Sequence, residues 1–527
     1  MKKILFLLGA VLTLSSCLED SEDTSVLTQS QKNEIASQNP DKVFSSDLAG
    51  MYSNLQSYVY SNMDHNYFGQ KGFDFLTSLM GNDMVLPGAY ATSYYHYLID
   101  YRQQEYTATY NRWYEGYRYI SDANNILGSI DPEDDNVTLQ LYRAQALAFR
   151  GMGYLHLTHL YQYAYKVGVE YSQWGLAATH PDNADRLCVP IITETITGQQ
   201  PRATVAEVYN QLLGDLEAAY AIYQKLGKIK TSDPTDIDGC VVANYLMRAY
   251  MVKQDWTNAE KYAKVITSNF GILTTVDEIT QGFSSLALPD VVFGCDINSE
   301  NSTIYMSWFS QMDAYGAGYG GVGVWRVGFK PLVDRIADTD IRLQWFCTSR
   351  SFMTLRDTNI KADMEYQSVK FIGLGRPAIQ AAGANFVRGQ AGWELGDYIY
   401  LRSEEAYLSL AEIYVHQNKI SDAVAALNSF MKTRNPNYNC SLTDRAALLE
   451  EIIFQKRVEF WGEGMEFLDN RRLNIPVDRT VETWGDANNH IEDGQFKYAA
   501  DDIHFLYQLP LSEVQNNKYI GDEFQNE

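Results

Sequence analysis

Two stretches of this chain share one spacing. Leu246-Met247, Tyr250, Ala259 and Ala263 recur as Leu410-Ala411, Tyr414, Ala423 and Leu427, with identical gaps. A small residue, then Tyr, then Ala is the pattern of tetratricopeptide helix pairs. The small residues let two antiparallel helices of one unit approach, and Tyr and Leu fill the space between units. Such pairs stack over a shared core. The expected fold is therefore mainly α, a scaffold of tetratricopeptide-like helix pairs with long irregular loops and a few short strands. Apolar periodicity predicts helices over Val43–Asn62, Tyr110–Ser129, Thr138–Tyr165, Val205–Leu226, Val241–Lys253, Thr257–Ser268, Ser403–His416, Ser421–Thr433 and Ala446–Gly462. Asp131-Pro132, Gly198 with Pro201, Asp233-Pro234 and Arg434-Asn435-Pro436 separate them. Residues 285–400 and 473–510 read as irregular with short strands.

The first residues predict how the chain is exported. Lys2 and Lys3 precede an apolar run, Ile4–Leu14, which is too short to span a bilayer and fits a secretory leader. Leu14-Ser15-Ser16-Cys17 then resembles a bacterial lipobox, in which Cys17 is lipidated and becomes the mature amino terminus. The acidic run Leu18–Asp23 reads as a solvated tether. A covalent lipid adds about 0.8 kcal/mol of membrane affinity per buried methylene. The formal charge of −24 repels phosphates, so a nucleic-acid partner is excluded. The other cysteines, Cys188, Cys240, Cys295, Cys347 and Cys440, are odd in number and far apart. They read mostly as buried thiols, with a disulfide left open.

The segment Lys456-Arg457-Val458-Glu459-Phe460-Trp461-Gly462-Glu463-Gly464-Met465-Glu466-Phe467-Leu468-Asp469-Asn470-Arg471-Arg472 resembles the C-terminal hallmark of the SusD/RagB family. Leu509-Pro510-Leu511-Ser512-Glu513-Val514 with Asn516 resembles its closing segment, and Tyr400–Ala406 the start of its last repeat pair. Trp113-Tyr114, Ala123–Leu127 and Arg143–Ala146 with Tyr154 also fit. Met465-Glu466 and Asn470 depart from the usual pattern. Within the hallmark, Glu459, Glu463 and Asp469 are expected to pair with Arg457, Arg471 and Arg472.

The resemblance implies a signal peptide over 1–16, a lipidated acidic tether over 17–41, an N-terminal segment over 42–230 and a C-terminal segment over 231–527, the last two forming one body. It implies a non-enzymatic surface lipoprotein of the outer membrane. Such a protein captures an oligosaccharide, or in some members a peptide, and passes it to a SusC-type TonB-dependent barrel. The acidic run after Cys17 resembles the signal that sends Bacteroidetes lipoproteins to the cell surface.

Two loop regions combine rings with polar groups, the mixture that covers sugar faces and bonds their hydroxyls. The first is Asn82–Pro87 followed by Tyr90, Tyr94, Tyr95, His96 and Tyr97; Asp83 matches a position often acidic in the family. The second runs from Trp308 to Trp325 and holds Asp313, Tyr315, Tyr319 and Trp325 among glycines. The plainer reading is that these rings pack under their own loops. Gly316-x-Gly318-x-x-Gly321 lacks the strand and helix that a dinucleotide loop needs, so its glycines are read as allowing sharp bends. His156 and His159 are read as packing residues, since zinc would want a further close ligand. Glu404-Glu405 and Glu450-Glu451 are adjacent carboxylates that point to different helix faces and cannot flank one glycosidic bond. No metal or cofactor is expected. A peptide-binding relative, a surface glycosidase and a protein-docking scaffold are the alternatives.

Overall fold

The computed structural model describes Ile35 and residues 38–526, apart from 58–64, 89–90, 92, 101, 169–177, 196–197, 350–363 and 485–487. Cys17, most of the tether and Tyr90 lie outside the described residues. Helices dominate: α1 (Pro40–Asn54), α2 (Gly69–Leu79), α3 (Thr107–Leu127), α4 (Val137–Tyr161), α5 (Val205–Lys225), α6 (Gly239–Lys253), α7 (Trp256–Asn269), α8 (Trp308–Met312), α9 (Glu404–His416), α10 (Ile420–Met431), α11 (Arg445–Glu459) and α12 (Met465–Leu473). Each of the predicted helices has a counterpart. α1 ends at Asn54 and α4 at Tyr161, short of the predicted Asn62 and Tyr165.

Side chains set several of the helix starts. Asn136 Oδ1 accepts from the Thr138 amide at 2.9 Å and caps α4. Thr204 and Glu207 form a reciprocal capping box at α5. Asp238 caps α6 and Asp255 caps α7.

The two matching spacings are two helix pairs, α6–α7 and α9–α10. Each turns at the same position through a left-handed residue, Gln254 (φ 60°) in one and Asn418 (φ 59°) in the other. Ala259 and Ala263 of α7, and Ala423 and Leu427 of α10, are completely buried, as the close helix approach requires. The stacking runs on in both directions: α3 packs on α4, α4 on α5, α5 on α6, and α7 on α9, which also contacts α11. Trp256 and His416 join the two pairs with rings 3.9 Å apart and nearly parallel.

Glycines let α3 and α4 cross closely. A Cβ built on Gly153 would lie 2.9 Å from the carbonyl oxygen of Gly116. One large apolar core runs through these helices, and a second cluster under α9, α10 and α11 includes Leu408, Leu427, Leu448 and Ile452.

Eight short strands form four antiparallel pairs among the described residues. They are β1 (Met84–Val85) with β5 (Val327–Gly328), β2 (Leu187–Pro190) with β3 (Arg202–Thr204), β4 (Val291–Cys295) with β6 (Tyr398–Arg402), and β7 (Val477–Asp478) with β8 (Lys497–Tyr498). In the first pair Met84 faces Gly328 and Val85 faces Val327. That ladder joins the two aromatic loop regions, which are more than two hundred residues apart in the chain. Of the helices described, none is long and apolar enough to cross a membrane. Cys188, Cys240, Cys347 and Cys440 are buried thiols and Cys295 is half-buried.

Candidate ligand-binding site

The β1–β5 ladder draws both loop regions to one cleft of about 570 Å³. His65, Asn66 and Tyr67 before α2 form one side, and Ser93, Tyr94, Tyr95 and His96 after β1 form another. Tyr106, Thr107 and Ala108 at the start of α3, Gln311 of α8, and Tyr319 and Val324 complete the lining. This volume falls in the usual range for small-molecule sites.

Tyr319 reaches the cleft because its loop coils tightly over α8. A Cβ on Gly318 would sit 2.4 Å from Ser310 Cα, and one on Gly321 would sit 2.1 Å from the Gly316 carbonyl oxygen. The glycines therefore serve close backbone approach.

One polar chain fastens the cleft walls together. The buried Gln311 accepts from Tyr94 Oη at 3.0 Å and from Arg326, and donates to the His65 carbonyl at 3.1 Å. Arg326 also donates to Tyr94 Oη at 3.0 Å and stacks over the Tyr94 ring. His65 Nδ1 hydrogen-bonds Tyr319 Oη. Tyr95 is left 44% exposed and Tyr106 39%, so two ring faces meet solvent at the rim.

His96 is buried, and its Nε2 has no hydrogen-bond partner among the described residues. Burial, and then the positive charge of Arg112, hold its pKa down to about 3. The imidazole is therefore neutral at physiological pH, and one nitrogen remains for a ligand or a water.

Of the candidate residues, the cleft collects Tyr94, Tyr95, His96 and Tyr319. Asp83, Tyr97, Asp313, Tyr315 and Trp325 are not among its lining. Asp83 is buried and takes Arg457 Nε at 2.9 Å, which joins the first loop to α11. Tyr97 is fully buried; its hydroxyl meets His490 Nδ1 at 2.7 Å and its ring lies under Arg479. Asp313 is buried and accepts from the Tyr315 and Gly373 amides at 2.7 and 2.9 Å, and burial lifts its pKa to about 6. Tyr315 packs edge-on against Phe386 in a small separate core. Trp325 packs half-buried against the main core, beside Val324. Asp313, Tyr315 and Trp325 thus serve their own loop and the cores beneath it, while Asp83 and Tyr97 tie the first loop to distant segments.

His65, Tyr67, Tyr106 and Gln311 were not singled out from the sequence. Only Tyr106 carried a local signal, through its four-residue spacing to Tyr110 and Tyr114.

Three comparisons bear on this arrangement. A family model described as starch-binding, associating with outer membrane (SusD-like) matches residues 32–231, and the SusD family model matches residues 384–526. This chain belongs to the SusD/RagB family. Residues 1–17 match a prokaryotic membrane lipoprotein lipid attachment site. Among solved structures, a SusD-like carbohydrate binding protein from Bacteroides vulgatus is similar at 23% identity and TM-score 0.72, over 90% of this chain and 96% of that one. A SusD superfamily protein from Bacteroides thetaiotaomicron is similar at 19% identity and TM-score 0.70, over 92% and 98%. No curated protein matches the chain.

The SusD/RagB hallmark proves to be a long-range charge joint, and its pairing differs from the local expectation. Of the three expected acids, Asp469 alone pairs within the segment among the described residues, with Arg472 at 2.6 Å and Lys456 at 2.8 Å. Glu459 instead takes Arg434 at 3.0 Å, Arg402 at 3.3 Å and Arg342 at 3.4 Å. Burial alone would raise the Glu459 pKa, but Arg434 and Arg402 outweigh it and hold the carboxylate well below its usual range. Glu463 takes Lys370 at 2.6 Å and Arg402 at 2.9 Å. Arg471 donates to the His159 and Gln162 backbone carbonyls.

Glu466, at one of the positions that depart from the family pattern, accepts from the Asn82 and Asp83 amides at 2.6 and 3.0 Å. It thereby holds the turn that leads into β1. His156 lies stacked 4.7 Å from Phe73 and, with His159, is kept neutral by burial.

Proposed function

We propose that this SusD/RagB protein captures an oligosaccharide in the Tyr94–Tyr95–Tyr319 cleft and delivers it to a SusC-type TonB-dependent outer-membrane barrel. In this reading Cys17 carries the lipid, and the body faces the outside of the cell. The carrying observation is the lining. Among the described residues it combines tyrosines, histidines, amides and small hydroxyls, and no member of it carries a fixed charge. Rings cover the C–H faces of a sugar while amides and imidazole bond its hydroxyls. A peptide would bring charged termini and side chains that this lining does not answer. No carboxylate stands among the described lining residues to protonate or attack a glycosidic bond, which favours binding over hydrolysis. The acidic body favours neutral glycans over polyanionic ones.

Calorimetric titration against a panel of neutral and acidic oligosaccharides and short peptides tests the reading. Tyr95→Ala and Tyr319→Ala are each expected to weaken binding of the preferred neutral glycan about tenfold, or roughly 1.4 kcal/mol. Binding of peptides alone would overturn the oligosaccharide assignment, and shortening of the bound glycan would overturn the non-catalytic one. Cys17→Ala is expected to move the protein from the membrane to the soluble fraction. Affinity capture in detergent is expected to recover a large β-barrel with the wild-type protein.

A further inference from the structure

We infer that α3 carries a second sugar-binding platform, continuous with the first cleft, on which a long glycan chain rests beyond the units held there. The inference depends on reading the first cleft as a glycan site. A helix stripe that faces solvent is ordinarily polar. Here Tyr110 and Tyr114 follow one another on one stripe of α3, about 6 Å apart at 1.5 Å per residue, and Tyr106 stands four residues earlier at the helix cap. Tyr106 lines the first cleft and is 39% exposed; Tyr114 lines a second cleft of about 500 Å³ and is 38% exposed. Tyr110 stands between them, its ring 6.0 Å from that of Tyr114 and inclined by 18°. The Tyr110 and Tyr114 rings thus form a near-parallel pair in the second cleft, one helical turn beyond the Tyr106 that lines the first.

The second cleft is built as a site for a neutral polar chain. Trp113 and Tyr117 form its floor, and Tyr117 Oη donates to the Pro190 carbonyl at 2.7 Å, so that ring is held in place. The opposite wall brings Gln199 and Gln200 together with Glu513, Asn516 and Asn517. Asn517 Nδ2 donates to the Gln200 carbonyl at 2.9 Å, and the Lys518 amide donates to Gln199 Oε1 at 3.1 Å. Two chain segments more than three hundred residues apart are therefore fixed as one wall. Stacked rings facing amides and a carboxylate are the groups that bind a sugar's faces and hydroxyls. The family-like closing segment that contains Glu513 and Asn516 thereby gains a role as that wall.

Titration of the mature chain with size-fractionated oligosaccharides, cut from whichever panel glycan binds, tests the platform. Wild-type affinity is expected to keep rising with chain length after the first cleft is filled. Tyr114→Ala is expected to lose about fivefold for the long fractions and nothing for the shortest, while Tyr114→Phe, which keeps the ring, retains the gain. Gln199→Ala supplies an independent change on the opposite wall and is expected to lose affinity for the same long fractions. Melting curves overlaying the wild type establish that these exposed positions leave the fold intact. Wild-type affinity for every fraction in both Tyr114→Ala and Gln199→Ala would overturn the platform and leave the first cleft standing. Failure of the wild type to bind any glycan would overturn both.

Discussion

His96 ties protonation to folding. Its imidazole is held neutral to about pH 3, whereas an unfolded histidine takes up a proton near pH 6.5. Between those values the unfolded chain binds more protons than the folded one, so this residue makes stability fall as pH drops. Urea unfolding of wild type and His96→Gln at pH 7 and pH 5 measures it. Relative to the variant, the wild type is expected to lose up to about 1.4 kcal/mol per pH unit below pH 6.5. An unchanged difference at the two pH values would refute the neutral imidazole. At this scale the sequence was least transparent. Asp83 looked like a ligand contact because it is an acid beside rings, yet its partner Arg457 lies 374 residues away. No local pattern records that pairing. The sequence marked Tyr315 and Tyr319 alike; a tight glycine coil sends Tyr319 to the cleft and Tyr315 into a small core.

Among the elements, the strongly periodic helices were readable because one face of each is apolar and the other polar. α2 was not: it is only eleven residues long, all of them buried, and its polar residues Gln70, Lys71, Thr77 and Ser78 find their partners inside the protein. The glycines in these helices have opposite roles. Gly153 of α4 sits against the Gly116 carbonyl, and backbone cannot step aside for a side chain. Gly153→Ala is expected to destabilise by about 1–3 kcal/mol despite alanine's better helix propensity. Gly214 is exposed on α5, and a Cβ there would meet nothing within 4 Å. Gly214→Ala is expected to stabilise by roughly 0.5–1 kcal/mol. Thermal melts of the two variants, moving in opposite directions, check both.

Over the whole molecule, the repeat spacing and the hallmark were legible as signs of a helical scaffold, but what the hallmark holds together was not. Glu459 gathers Arg342, Arg402 and Arg434 from three distant segments in a fully buried cluster. Glu459→Gln leaves those guanidiniums short of a counter-charge, and a loss of about 3–5 kcal/mol in chemical denaturation is expected. The β1–β5 ladder has a further thermodynamic reach. A solute gripped by Tyr95 on one side and Tyr319 on the other clamps segments from both halves of the polypeptide, so its occupancy and the integrity of the native state become linked quantities. At a hundred times its dissociation constant it would add about 2.7 kcal/mol to the unfolding free energy. A melting-temperature shift can therefore serve as a label-free search for a ligand of the cleft.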